Sequence, residues 1–218
     1  MLHHRIGRAE LMQAQIALLV AIALQVISRH VGSVILPGSQ YFIIITELVL
    51  AVLIAFTVNV GRAHSTRLYH LFAVLLLGII SVTNASGLIY VLHSLIVQHG
   101  TLSGQRLLAS AIAIFMTNII VFGLWYWEID SPGLTRTLWS RYEKDFQFAQ
   151  QEKPEEFPDW QPQFADYLFI SITNAVNFAP ADSRPLTRQA KMLMALQSLV
   201  SVFTLALLIA RSVSILGS

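Results

Sequence analysis

Residues 166–185 read DYLFISITNAVNFAPADSRP, and the fold turns on how this stretch is read. It begins inside a short apolar segment, Ala165–Phe178, whose one charged residue is Asp166. That segment is too short to cross a bilayer, which takes about 20 residues of helix. It then runs into Asn177, Ala179, Pro180, Ala181, Asp182 and Pro185, which do not continue a helix. Long apolar runs stand on either side, Leu107–Trp127 before it and Lys191–Leu216 after it. The expectation is a half-helix that enters the membrane and returns. Irregular backbone at membrane depth is tolerated only when protein shields it or it lines a water-filled cavity. The outer span, half-helix, irregular return and last span are therefore expected to form one unit.

The rest of the chain agrees with a membrane reading. Of 218 residues, 55% are hydrophobic and only 12% charged, with mean hydropathy +0.63. Soluble domains carry about a quarter charged residues. A net charge of +2, with no basic stripe, gives no reason to expect nucleic acid. The chain has no cysteine, which excludes a disulfide scaffold, an Fe–S protein and a thiol enzyme.

Five spans are expected: Ala9–Ser28, Gln40–Val60, Tyr69–Val97, Leu107–Trp127 and Lys191–Leu216. The first is read as a retained helix rather than a cleaved signal, because Glu10 stands in the junction. The fold class is all-α integral membrane, five transmembrane helices plus a re-entrant pore-type half-helix. Residues 1–104 form a three-helix membrane region, and residues 105–218 a second domain with an acidic insert at 131–163. Eight of the twelve acids fall within 128–165. There Leu134, Leu138, Tyr142 and Phe146 step by four, the spacing of an amphipathic helix lying on the bilayer surface. Trp125, Tyr126, Trp127, Trp139 and Trp160 are expected to form an aromatic belt.

The order outer helix, pore helix, filter loop, inner helix resembles the pore domain of potassium channels. The family pattern D-x-L-Y-F-S-F-T-T-L-T-T-V-G-Y-G-D-x-x-P aligns without a gap to Asp166–Pro185. Asp166, Leu168, Ser171, Thr173, Asp182 and Pro185 match. Leu208–Arg211 looks like the close of an inner helix, and the resemblance covers roughly 105–216. It implies a homotetramer around four loops. The departure falls on the filter: T-V-G-Y-G is replaced by Asn177, Phe178, Ala179, Pro180 and Ala181. The family filter aims successive carbonyls at dehydrated ions. Alanine reaches the angles its glycines adopt only at about 1 kcal/mol or more each, and proline fixes its own φ and restricts Ala179. A four-site K⁺ filter is therefore not expected. In its place Thr173, Asn174, Asn177 and Asp182 would present rings of amides and carboxylates that pass monovalent cations with poor discrimination. The competing reading has Asn174 and Asn177 capping the half-helix.

Other polar residues lie inside spans. Thr-Asn occurs at 83–84, 117–118 and 173–174. Asn84 and Asn118 are expected to bond across helices, with a hydrated cavity as the alternative. Glu47 is the acid well inside a span, a functional position by default; Arg29 and the Thr-Asn pairs are its candidate partners. No histidines form H-E-x-x-H or an i,i+4 ligand pair, and no Walker loop, G-x-G-x-x-G, G-x-S-x-G or arginine array is present. An enzyme, a metal site and a cofactor are not expected. The expected function is an ion-channel-like homotetrameric pore in a plasma (inner) membrane. The alternative is a non-conducting protein whose hairpin and surface segment serve packing or docking. Eleven basic residues against three put the N-terminus in the cytoplasm. The outward-facing pore loop of the resembled family demands the opposite.

Overall fold

The computed structural model describes residues 8–31, 39–60, 66–97, 104–130, 144–158, 160–177 and 183–216. Four long helices come first: α1 (Arg8–Val31), α2 (Ser39–Val60), α3 (Thr66–Val97) and α4 (Gly104–Asp130). A three-residue strand β1 (Phe146–Phe148) leads into one turn of helix, α5 (Ala149–Glu152). Then come α6 (Phe164–Asn177), a second short strand β2 (Ser183–Pro185) and α7 (Arg188–Leu216). The protein is mostly helical.

Three helices contain stretches long and apolar enough to cross a membrane: Leu71–Ser94 in α3, Gln105–Asp130 in α4 and Arg188–Val213 in α7. The apolar stretches of α1 and α2, Met12–Ser28 and Ile43–Ile54, are shorter among the described residues. Three of the five expected spans thus reach the required length.

The architecture is centred on α4. Within its apolar stretch 67% is buried in the protein, against 28% for α7. Helices α1, α3, α6 and α7 all pack on α4. Helix α1 packs more extensively on α4 than on α2, its neighbour in sequence. Small residues on α1, Ala14 and Ala21, are wholly buried there beside Leu18 and Ile22. The outer face of α7 carries Leu196, Leu199, Phe203, Ile209 and Val213 exposed, a composition that suits hydrocarbon.

The all-α expectation is corrected by a small antiparallel ribbon. Phe146 pairs with Pro185, Gln147 with Arg184 and Phe148 with Ser183. Phe146 therefore sits on a strand, not on the expected amphipathic helix; Leu134, Leu138 and Tyr142 lie outside the described residues. The two-residue period of a strand turns Phe146 and Phe148 into the core and leaves Gln147 half-buried. The Phe146 ring meets Tyr126 at 5.2 Å and Tyr167 at 6.3 Å. The aromatic belt is corrected too. Tyr126 and Trp127 are wholly buried, because α4 is covered on that face by α1, α6 and α7. Trp160 is half-buried against Phe148, 5.4 Å between rings, and Trp139 lies outside the described residues.

Candidate functional site: the half-helix and its cradle

Helix α6 begins where its own side chains can start it. Asp166, in the first turn, accepts a hydrogen bond from the Gln163 backbone N–H at 2.7 Å, one half of a capping box. The entry lies beside the end of α4: the rings of Phe164 and Trp127 are 5.5 Å apart. Tyr167 donates its hydroxyl to Asp130 Oδ2 at 2.7 Å. Further along, Gly123 lets α6 approach closely; a Cβ there would stand 3.2 Å from Leu168 Cα. Ser171 then donates to the Ile119 carbonyl at 2.6 Å. Positions 164, 168 and 171 therefore meet 127, 123 and 119 in turn, so α6 runs back along α4, antiparallel to it.

The return is anchored at the same end of α4. Asp130 Oδ1 accepts from the backbone N–H groups of Asp145 (2.5 Å) and Phe146 (2.9 Å), which starts β1. Strand β2 pairs with β1, and Leu186 N–H donates to the Asp145 carbonyl at 2.8 Å. Thr187 caps α7: its Oγ1 accepts from Ala190 N–H at 3.2 Å while its hydroxyl donates to the Asp145 carboxylate. Residues 164 and 183–185 thus share one end of α4, and the chain between them reaches at least to the level of Ile119.

The deep part of α6 is held by polar groups that satisfy one another. Asn174 Nδ2 donates to Gln197 Oε1 at 2.8 Å and to the Met194 carbonyl at 3.0 Å, both on α7. Gln197 Oε1 also accepts from the Tyr126 hydroxyl at 2.5 Å. Its Nε2 donates to the Ser171 carbonyl at 2.9 Å and to Ser171 Oγ at 2.6 Å. Ser198 Oγ donates to Asn174 Oδ1 at 3.3 Å. Asn118 Nδ2 extends the network along α4, donating to Ser201 Oγ at 3.0 Å and to the Gln197 carbonyl at 3.4 Å. Tyr126, Gln197, Ser171 and Ser201 are buried to 1% or less. Leaving such a donor or acceptor unpaired costs about 1–3 kcal/mol, so the network specifies where α6 sits.

The expected filter-like residues fall into three groups. Thr173 is buried and its hydroxyl returns to the carbonyls of Phe169 and Ile170, both at 3.0 Å. Asn174 is turned to α7 rather than capping its own helix. Asn177 is exposed at the end of α6, next to exposed Val176. Phe178, Ala179, Pro180, Ala181 and Asp182 lie outside the described residues.

The other polar positions inside the expected spans all join helices. Asn84 Nδ2 donates to the Ile114 carbonyl at 3.2 Å, linking α3 to α4. Each of the three Thr-Asn asparagines therefore donates to a backbone carbonyl of a neighbouring helix. Glu47 is wholly buried, with Thr83 Oγ1 at 3.4 Å from its Oε1. Gln25 Nε2 reaches the same point from α1, donating to Thr83 Oγ1 and the Ile80 carbonyl, both at 2.8 Å. Thr83, a member of the Thr-Asn pairs, is thus a contact of Glu47; the Arg29 side chain lies outside the described residues.

Sequence reading overlooked Gln197 and Asp130 and assigned Tyr126 to an interfacial belt. Gln197 did carry a signal, an amide in the apolar run of the last span. Glu10 was read only as an interruption. Its Oε1 accepts from Trp127 Nε1 at 3.1 Å and from the Phe164 backbone N–H at 3.0 Å. Among the described residues no group of His, Cys, Asp and Glu is arranged to hold a metal ion. The chain matches no protein-family model, no curated protein and no solved structure.

Proposed function

We propose that this chain is a channel-like membrane protein, a homotetramer whose four α6 half-helices converge on a pore for monovalent cations with little selectivity for K⁺. One observation carries the reading: Phe164 and residues 183–185 both lie at the Asp130 end of α4, and α6 runs back from there along α4 to Ile119. A helix of 14 residues is about 21 Å long, more than half of a hydrocarbon core of about 30 Å. In a bilayer α6 is then re-entrant, with α1 and α2 completing five spans. By the charge count the N-terminus faces the cytoplasm of a plasma (inner) membrane.

Within one chain the outer face of α6 is uncovered: Phe169, Ile172 and Val176 are 41–49% exposed. A second copy supplies the cover, and fourfold closure follows the family that residues 166–185 resemble. The roles divide accordingly. Asn174 holds the half-helix to α7, Thr173 bonds back within it, Asn177 faces the axis, and Asp182 supplies a carboxylate ring that favours cations. The C-terminal end of α6 adds the negative pole of its dipole.

The second reading is a non-conducting protein whose hairpin is a packing element and whose 131–163 segment docks a partner. It is favoured by the burial of Thr173 and Asn174 within one chain. Reconstitution separates the two. Purified protein in liposomes is expected to be tetrameric by native mass and to pass K⁺ and Na⁺, with flux altered in Asn177→Ala and Asp182→Ala. Tetramers that pass neither ion under varied pH and voltage leave the second reading, and a monomer or dimer removes the pore.

A further inference from the structure

We infer that Glu10 on α1 positions the half-helix and thereby couples the first helix to conduction; the second half of this statement rests on the channel-like reading above. Glu10 is 7% exposed, and one of its oxygens takes two donors at once, the Trp127 indole of α4 and the Phe164 backbone amide. Phe164 is the first residue of α6. Its N–H is one of the four that no helix satisfies internally, so it must find an acceptor elsewhere. The acceptor comes from a helix about 150 residues earlier in the chain. A single atom of α1 therefore fixes the start of α6 against the end of α4.

The other hold on α6 belongs to a different helix. Asn174 and Ser171 are tied to Gln197 on α7. The half-helix lies along α4, held there by Tyr167 and Ser171, and is pinned in addition near its entry by α1 and near its tip by α7. A shift of α1 along α4 acts on the first amide of α6, next to the Tyr167–Asp130 bond, and tilts α6 about the Gln197 contact. Asn177, three residues beyond Asn174, is carried with that tilt. Helix α1 is then a lever on the tip, although it contributes no side chain to it.

The test uses the full chain in liposomes, as wild type, Glu10→Ala and Glu10→Gln. Glutamine keeps an accepting oxygen at the same reach, and alanine removes it. Hydrogen–deuterium exchange across 160–177, read by mass spectrometry, follows the clamp independently of conduction. In Glu10→Ala, exchange in the first turn of α6 is expected to rise about tenfold. Flux is expected to change several-fold with the native mass unchanged, and Glu10→Gln to restore both. If Glu10→Ala does not assemble, Glu10→Asp, whose carboxylate stops one methylene short, carries the same readouts. Unchanged exchange overturns the clamp. Raised exchange with wild-type flux overturns the coupling. If wild type itself passes no ions the channel-like reading fails, and the coupling with it, while exchange still decides whether Glu10 holds α6.

Discussion

Asn174 and Gln197 meet at 2.8 Å, amide to amide, between α6 and α7. Gln197 is wholly buried and serves Asn174, Tyr126 and Ser171 together. Replacing it with alanine leaves three partners short at once. The expected loss is about 2–4 kcal/mol, from donors and acceptors stranded away from water. Unfolding in mixed micelles measures it. Asn174→Ala should cost less, and the double mutant less than the sum, with a coupling of about 0.5–3 kcal/mol. Strict additivity would show that the two amides act independently.

Gly123 and Gly87 lie on neighbouring helices and predict opposite tolerance. A methyl at Gly123 meets Leu168 at 3.2 Å, backbone included, whereas at Gly87 the nearest atom is Ile114 Cδ1 at 3.6 Å. Gly123→Ala should displace α6 and destabilise by about 1–3 kcal/mol. Gly87→Ala should be neutral or stabilise slightly, since alanine suits a helix interior better by up to about 1 kcal/mol. Thermal unfolding of the two variants side by side is the measurement. Equal effects would deny the close approach at Leu168.

Thr117 and Asn118 are adjacent, buried and polar, yet only the asparagine is used. Thr117 Oγ1 has no hydrogen-bond partner among the described residues, while Asn118 reaches Ser201. Thr117→Val should therefore leave stability unchanged or raise it by up to about 1 kcal/mol, because an unsatisfied hydroxyl is removed. Asn118→Ala should lower stability by about 0.6–2 kcal/mol, the range for interhelical polar contacts in membranes. A destabilising Thr117→Val would reveal a partner for the hydroxyl.

Asp130 gathers the Asp145 and Phe146 amides and the Tyr167 hydroxyl. Asp130→Ala should release the β1–β2 ribbon and speed proteolysis across 144–158 several-fold, with the long helices intact. By contrast, Arg184→Ala should change stability by less than about 1 kcal/mol. Its contact with Glu152, 3.4 Å long, is exposed on both sides, and such pairs contribute little. Timed digestion of the two variants distinguishes a buried hub from a surface pair.

Much of the frame was legible because apolar length is a local property. Three helices long and apolar enough to cross a membrane stand where Tyr69–Val97, Leu107–Trp127 and Lys191–Leu216 were expected, and they follow from run length alone. The place of α6 follows from the apolar run Ala165–Phe178 and the helix-breaking stretch after it. The ribbon was not legible. Phe146 fits a four-residue spacing as well as a two-residue one, and only pairing with Pro185, 39 residues later, decides between them. The belt failed for a related reason: an aromatic residue at a span end is interfacial or buried according to what packs over it.

The sequence by itself determined that the chain is apolar and helical, and that a segment too short to span lies between two that are long enough. Hydropathy and proline placement act within a few residues, so no partner is needed to read them. Only the tertiary structure decided that α1 packs mainly on α4, and that Asn84, Asn118 and Asn174 each donate to another helix. It also decided that Glu10 accepts the first amide of α6. A buried polar group takes its role from the donor or acceptor opposite it, and these partners stand 20 to 154 residues away in the chain.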